Sequence, residues 1–227
     1  MAKCKPVLVS LIGIDGSGKT THAKTIIQHL RDRGMPAKYI WLGPRPFFLA
    51  PLRLVAHRTI LKNESIRCDY ASYLERRQKQ ISKWLFLSKV YYGVVLLDYL
   101  ILVNWSLWSF MIRGFSIVCD RYIYDIVINL GDILNYSKQD EAKLIRRLSA
   151  FFPQPDLVIV CDVDEEVALQ RKSDTPHISY LNTCRPKYRY LAKCFNFPVV
   201  DTSLSLETIT AQVWQIVAEH IKARNED

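Results

Sequence analysis

Eight consecutive residues carry the densest chemistry in this chain: Gly13-Ile14-Asp15-Gly16-Ser17-Gly18-Lys19-Thr20. Glycines followed by Lys-Thr at this spacing form a loop whose backbone N–H groups turn inward around a polyphosphate. Lys19 then supplies a mobile positive charge near the β and γ phosphates, and the Thr20 hydroxyl is offered to Mg²⁺. Such a loop needs a strand before it and a helix after it. Val7 to Ile12 is a run of strand formers and Thr20 to Arg33 has helical spacing, so both are present. Gly13, Asp15, Gly16, Ser17, Gly18, Lys19, Thr20 and Thr21 are therefore the expected phosphate-binding set. Asp15, just ahead of the glycines, is placed to orient an acceptor or the metal.

A second constellation is Ile117-Val118-Cys119-Asp120-Arg121-Tyr122. A carboxylate at the carboxyl end of a buried strand beside a phosphate loop can hold Mg²⁺ directly or through water, and Arg121 can meet phosphate oxygens. The bland alternative is a satisfied Asp-Arg ion pair. Asp162 closes Val160-Cys161-Asp162 in the same manner and competes with Asp120 for the metal. Other chemistries fare poorly. The five histidines form no H-E-x-x-H pair, and the six cysteines show neither C-x-x-C nor zinc spacing. Cys119 and Cys161 sit in apolar runs, as small buried hydrophobes kept reduced in a cytoplasm. A signal peptide would destroy the phosphate loop, so a cytoplasmic location is expected.

These residues need a scaffold, and the pattern around them is that of a parallel sheet with crossover helices. Short, unalternated apolar runs mark five strands: Val7 to Ile12, Ala37 to Leu42, Phe115 to Cys119, Leu157 to Cys161 and Pro198 to Val200. Asp164 is a natural N-cap, with Glu165 and Glu166 in the first turn of a helix running to Arg171. A last helix starts near Ser205, with Ile209, Val213, Ile216 and Val217 on one face toward Ile221. With 227 residues, 49% of them apolar, the chain fits a single α/β domain.

Val90 to Ile112 resists the scheme: it is 23 residues long, with Asp98 as its only formal charge. Length alone would let it span a bilayer. A span would strand Lys19 and Asp120 on opposite sides of the membrane, so no transmembrane segment is expected and the stretch reads as one or two buried helices. A helix apolar nearly all round must cover itself, which leaves peripheral membrane contact and a homodimer interface both open. The net charge of +9 is also localised. Residues 44 to 83 carry nine Lys/Arg against Glu64, Asp69 and Glu75, and residues 171 to 193 carry six against Asp174. Confined to two segments that interrupt the alternation, the excess suits capture of anionic small molecules rather than nucleic acid.

These anchors resemble the thymidylate kinase family of nucleoside monophosphate kinases. The resemblance rests on Asp15-Gly16-x-Gly18-Lys19-Thr20, Asp120-Arg121-Tyr122, Pro155-Asp156-Leu157 leading to Asp162-Val163, Glu166-x-Ala168-Leu169-x-Arg171, and Asp201-Thr202-Ser203. It implies a three-layer phosphate-loop kinase fold with a five-stranded parallel sheet flanked by helices. It further implies ATP and Mg²⁺ as cofactors and γ-phosphoryl transfer to a nucleoside monophosphate, bound in an excursion over about 43–112 under a short lid at about 172–184. Thr20 and Asp120 would hold the metal. Arg45 and Arg121 would hold the acceptor phosphate, with Tyr122 and Asp125 nearby, and Arg171 or Arg185 would be the transition-state arginine. Residues 43 to 112 match the family poorly. Gly43-Pro44-Arg45-Pro46 stands where Arg-Glu-Pro is usual, Tyr99 falls where a base-reading Arg is expected, and Asp125 and Leu130 replace polar neighbours of the base. Two readings stay beside the first: a kinase on this scaffold with a different phosphorylated or hydroxylated acceptor, and a low-turnover nucleotide-binding protein.

Overall fold

The structure is a computed structural model that describes residues 5–43, 70–83, 85–172 and 178–226. Strands β1 (Leu8–Ile12), β2 (Ala37–Trp41), β3 (Ser116–Asp120), β4 (Leu157–Asp162) and β5 (Val199–Asp201) form one sheet in the order β2-β3-β1-β4-β5. Every neighbouring pair is parallel. All five lie on the apolar runs marked by the sequence. Their ends move by a residue, and β3 and β4 now include the terminal Asp120 and Asp162 because these pair in the ladder.

Eight helices occur among the described residues: α1 (Lys19–Asp32), α2 (Tyr70–Lys83), α3 (Leu85–Met111), α4 (Ile123–Leu134), α5 (Lys138–Ser149), α6 (Glu165–Arg171), α7 (Ile178–Phe195) and α8 (Leu206–Glu226). Side-chain alternation in the strands divides the core into two layers. Leu8, Ile12, Ile117, Cys119, Val158 and Val160 pack with α3, α4, α5 and α7. Val9, Leu11, Val118, Ile159 and Cys161 pack with α1 and α8, the latter through Ile209, Val213 and Val217 as its spacing required. With both faces covered, the central strands are apolar throughout.

The long apolar stretch is one helix, α3, and it is buried on one side only. Tyr92, Tyr99, Val103 and Leu107 face the core. Phe86, Val90, Leu97, Ile101, Trp105, Trp108 and Ile112 lie in the open, with Trp105 78% exposed. Two apolar faces at helical spacing share this segment, and the sheet can cover only one. By length and composition α3 could cross a membrane, yet its inner face is packed on the same sheet that carries the phosphate loop.

Candidate active site

The site gathers at the carboxyl ends of β1 and β3, where the strand order diverges to either side of β1. Between β1 and α1 the loop turns through Gly13 and Gly16, at φ values of 144° and 82°. A Cβ on Gly13 would lie 2.3 Å from the carbonyl oxygen of Cys161, and one on Gly16 would lie 2.2 Å from that of Ala168. The loop is thus wedged against β4 and α6, and only glycine permits that approach. α1 then begins at Lys19, its first N–H groups free to meet an anion. The Lys19 ammonium is turned back on the loop, donating to the Ile14 carbonyl at 2.5 Å and to Ser17 Oγ at 3.2 Å. Burial, reinforced by the Arg121 charge, lowers its pKa against the opposing pull of Asp15 and Asp125, and an anion arriving beside it would favour the charged form.

Across the loop, the Thr20 hydroxyl donates to Asp120 Oδ2. Tyr39 on β2 donates to the same oxygen at 2.9 Å. Register brings them together: β2 pairs with β3 so that Trp41 lies opposite Asp120, and the Leu42 N–H bonds the Asp120 carbonyl at 2.9 Å. A hydroxyl and a carboxylate held in contact are the oxygen donors a hard cation prefers, so these residues fit Mg²⁺. Burial, then the Asp120 charge, pushes the Tyr39 phenol up to about 12, which keeps it a donor.

Arg121 follows with a left-handed backbone, φ 73°, and spans two carboxylates: Asp15 from the phosphate loop and Asp125 at 2.9 Å from the first turn of α4. Lys172, just past α6, approaches Asp15 at 3.7 Å. Burial alone would raise the Asp15 pKa, but Arg121 foremost, with Lys19 and Lys172, holds it below the ordinary carboxylate value. Together these groups line a pocket of about 450 Å³, its wall including Lys19, Thr20, Asp120 and Trp41 together with the cations Arg121, Arg171 and Lys172. Arg171 is steadied by a 2.8 Å bond to the Thr202 carbonyl.

Other residues expected here are engaged elsewhere. Tyr99 is buried and donates its hydroxyl proton to the Leu42 carbonyl at 2.9 Å, so it has no donor left for a base edge. Tyr122 spends its hydroxyl on the Pro153 carbonyl at 2.5 Å. Asp125 is fully buried, accepting from Arg121, from the Tyr188 hydroxyl at 2.7 Å and from the Tyr122 N–H at 3.1 Å. It therefore fixes Arg121 and caps α4 rather than opening into the pocket. Arg185 sits on α7, and its guanidinium bonds Asp162 at 2.8 and 3.1 Å, Asp164 at 2.5 Å and Glu165 at 2.8 Å. Those carboxylates take it away from the pocket and occupy Asp162, which also faces Arg189 at 3.4 Å. Arg45 and residues 173–177 of the expected lid lie outside the described residues.

Tyr39 and Trp41 escaped the sequence reading although a signal existed. Alternation along β2 places both on one face, and a parallel partner ending in Asp120 brings that face toward Thr20 and Asp120. Tyr188 gave no such sign, because its partner Asp125 is 63 positions away on another helix.

Comparison with known proteins fits this geometry. A family model described as thymidylate kinase matches residues 87–213. A probable thymidylate kinase of Sulfolobus acidocaldarius is 31% identical over 218 residues, spanning 92% of this chain and 95% of its own. A probable thymidylate kinase 1 of Saccharolobus solfataricus is 29% identical over 219 residues, spanning 94% and 98%. A solved thymidylate kinase structure from Candida albicans shares the fold, with a TM-score of 0.64 at 17% identity over 96% of this chain and 94% of that one.

Proposed function

The chain belongs to the thymidylate kinase family, and from that premise we propose that the pocket transfers the γ-phosphoryl group of ATP to a nucleoside monophosphate. The observation that carries this reading is the Thr20–Asp120 contact set between the phosphate loop and the Arg121–Asp15 pair. Phosphoryl transfer asks a protein for position and charge rather than for covalent chemistry. The loop N–H groups and Lys19 hold the donor phosphates. Thr20 and Asp120 would hold Mg²⁺, which when bound spreads charge from the transferring oxygens. Arg121 exchanges a carboxylate for an acceptor phosphate oxygen, and Arg171 with Lys172 supplies further positive charge from the wall.

The relatives are named for thymidylate, and pyrimidine monophosphates are accordingly the first acceptors to test. Among the described residues expected at the base, Tyr99 has spent its donor and Asp125 is sealed in, so we expect discrimination among pyrimidines to stay within the about 10 to 200-fold that shape supplies. That observation also sustains the second reading, a different phosphorylated acceptor on this scaffold. A coupled assay of ADP release, run with ATP and each common monophosphate, decides between them. Turnover with a pyrimidine monophosphate supports the first reading, and turnover with none overturns it.

The exposed face of α3 supports a homodimer. Among its exposed positions, 90 and 108, 93 and 105, and 97 and 101 pair symmetrically about residue 99, while Lys89 is exposed without an exposed counterpart at 109. Two copies packed antiparallel would set Val90 against Trp108, Leu97 against Ile101, and Trp105 over Gly93, beside which a Cβ would meet nothing within 4 Å. Self-complementarity of this kind is what a two-fold interface requires. Sedimentation of the parent against Trp105→Glu tests it, with a monomeric variant expected. The buried free thiols of Cys119, Cys161 and Cys184 suit the cytoplasm, where we place the protein.

A further inference from the structure

Two carboxylates flank the phosphate loop at matching strand ends, Asp120 on β3 and Asp162 on β4, both strands being neighbours of β1. Their partners differ in kind. Asp162 is gripped by the Arg185 guanidinium and faced by Arg189, so its negative charge is already answered. Asp120 is 1% exposed and receives only hydroxyls at its carboxylate, from Thr20 and Tyr39, both on Oδ2. Among the described residues no donor reaches Oδ1. A guanidinium beside a cation ligand would repel the cation, whereas a neutral hydroxyl fixes the carboxylate and leaves its full charge to attract one.

The Thr20 hydroxyl adds a second constraint. To turn its oxygen toward a cation it must keep its proton on an acceptor, and Asp120 Oδ2 is that acceptor. Freed from other anchors, Asp120 could swing either oxygen to Thr20. The phenol of Tyr39, held by the β2–β3 register, removes that freedom.

We propose that Tyr39 is a positioning residue for the divalent cation: its hydroxyl pins Oδ2 of Asp120, reserving Oδ1 for the cation or its water without neutralising the carboxylate. The inference rests on the kinase reading above, since it needs a cation at Thr20 and Asp120. Removing an outer-shell partner of this sort lowers metal affinity by roughly 10 to 100-fold.

The test is calorimetric binding of ADP, with Mg²⁺ titrated in or chelated away, to the parent, Tyr39→Phe, Asp120→Asn and the double variant. Tyr39→Phe should raise the half-saturating Mg²⁺ by roughly 10 to 100-fold while ADP affinity in chelator stays within about twofold of the parent. In the Asp120→Asn background the same change should add less than about twofold, because the group that Tyr39 positions is gone. An unchanged Mg²⁺ requirement in Tyr39→Phe, or an equal loss of ADP affinity with and without Mg²⁺, overturns the proposal alone. A parent that binds ADP no better with Mg²⁺ overturns the kinase reading and the proposal with it.

Discussion

Two clusters in this molecule have the same charge arithmetic, one cation between two carboxylates, and opposite surroundings. In the pocket, Arg121 lies between Asp15 and Asp125, and the Asp15 side chain is 19% exposed. Inside the helical layer, Lys187 on α7 lies 2.5 Å from both Asp132 of α4 and Glu141 of α5, whose side chains are 3% and 1% exposed. Tyr70 of α2 adds a 3.1 Å bond to Asp132. The first cluster opens on a cavity and can trade a carboxylate for a ligand oxygen. The second is sealed, ties four helices together and has nothing to trade with. Similar ion-paired trios thus sit in one place where a ligand can compete for the cation and in another where none can enter, and access to solvent makes the difference.

The comparison is easiest to break at its sealed end. Lys187→Met would leave two buried carboxylates unanswered, and unfolding by denaturant should show a loss of about 3–5 kcal/mol. Adding Asp132→Asn and Glu141→Gln should recover at least half of that, since the lost stability is the burden of uncompensated charge; failure to recover would mean that the cluster contributes more than pairing. At the open end the effect should fall on turnover. Lys19→Ala should keep the melting profile of the parent and lose about 10²–10³-fold in kcat, the scale of removing one transition-state donor. Near-parental turnover in that folded variant would sink the kinase reading. Arg121→Lys keeps charge but cannot reach two carboxylates and a phosphate in one plane, so KM for the acceptor should rise roughly tenfold, as one two-pronged contact implies.

The smallest effects are those of pH, and they should run in opposite directions. Asp15 is held below its ordinary value of 3.8, so its contribution to stability is present above that pH and fades as pH falls through the folded value. The stability gap between parent and Asp15→Asn should narrow in acid. Glu141, pushed by burial from 4.5 up to about 7 despite Lys187, binds its proton more tightly folded than unfolded. Its contribution is therefore lost as pH rises from about 4.5 to 7, and Glu141→Gln should gain on the parent across that interval. Thermal melts from about pH 2 to 8 compare both, the acid end reporting on Asp15 and the interval from about 4.5 to 7 on Glu141, and gaps moving in the same direction would refute the contrast.

Legibility in the sequence followed the range of the cause. The phosphate loop was readable because its demands are local: backbone turns, one lysine and one hydroxyl within eight residues. Asp120 and Arg121 were readable because a strand end is marked by where its apolar run stops. Asp120 and Asp162, alike as strand-end carboxylates in the sequence, differ in their partners: hydroxyls hold the one and guanidinium groups the other. Arg185 illustrates what local reading cannot supply. Its position in a basic stretch suggested the pocket, but the nearest carboxylates, on β4 and at the start of α6, drew it elsewhere. Likewise, α3 is apolar on both faces, so periodicity could not say which side the sheet would cover. Tyr39 and Asp120 stand 81 positions apart, and only the β2–β3 register joins them.

The seating of Gly16 on Ala168 has a mechanical consequence. Loop and helix share a bearing surface with no slack, since even a methyl group would overlap the Ala168 backbone by more than an ångström. Ala168 sits one turn of α6 before Arg171 and Lys172, so the loop that cradles phosphates and the two cations beside it are seated on one short piece of helix. A side chain at position 16 would have to part the loop from that helix, and so separate the cradle from its neighbouring charges.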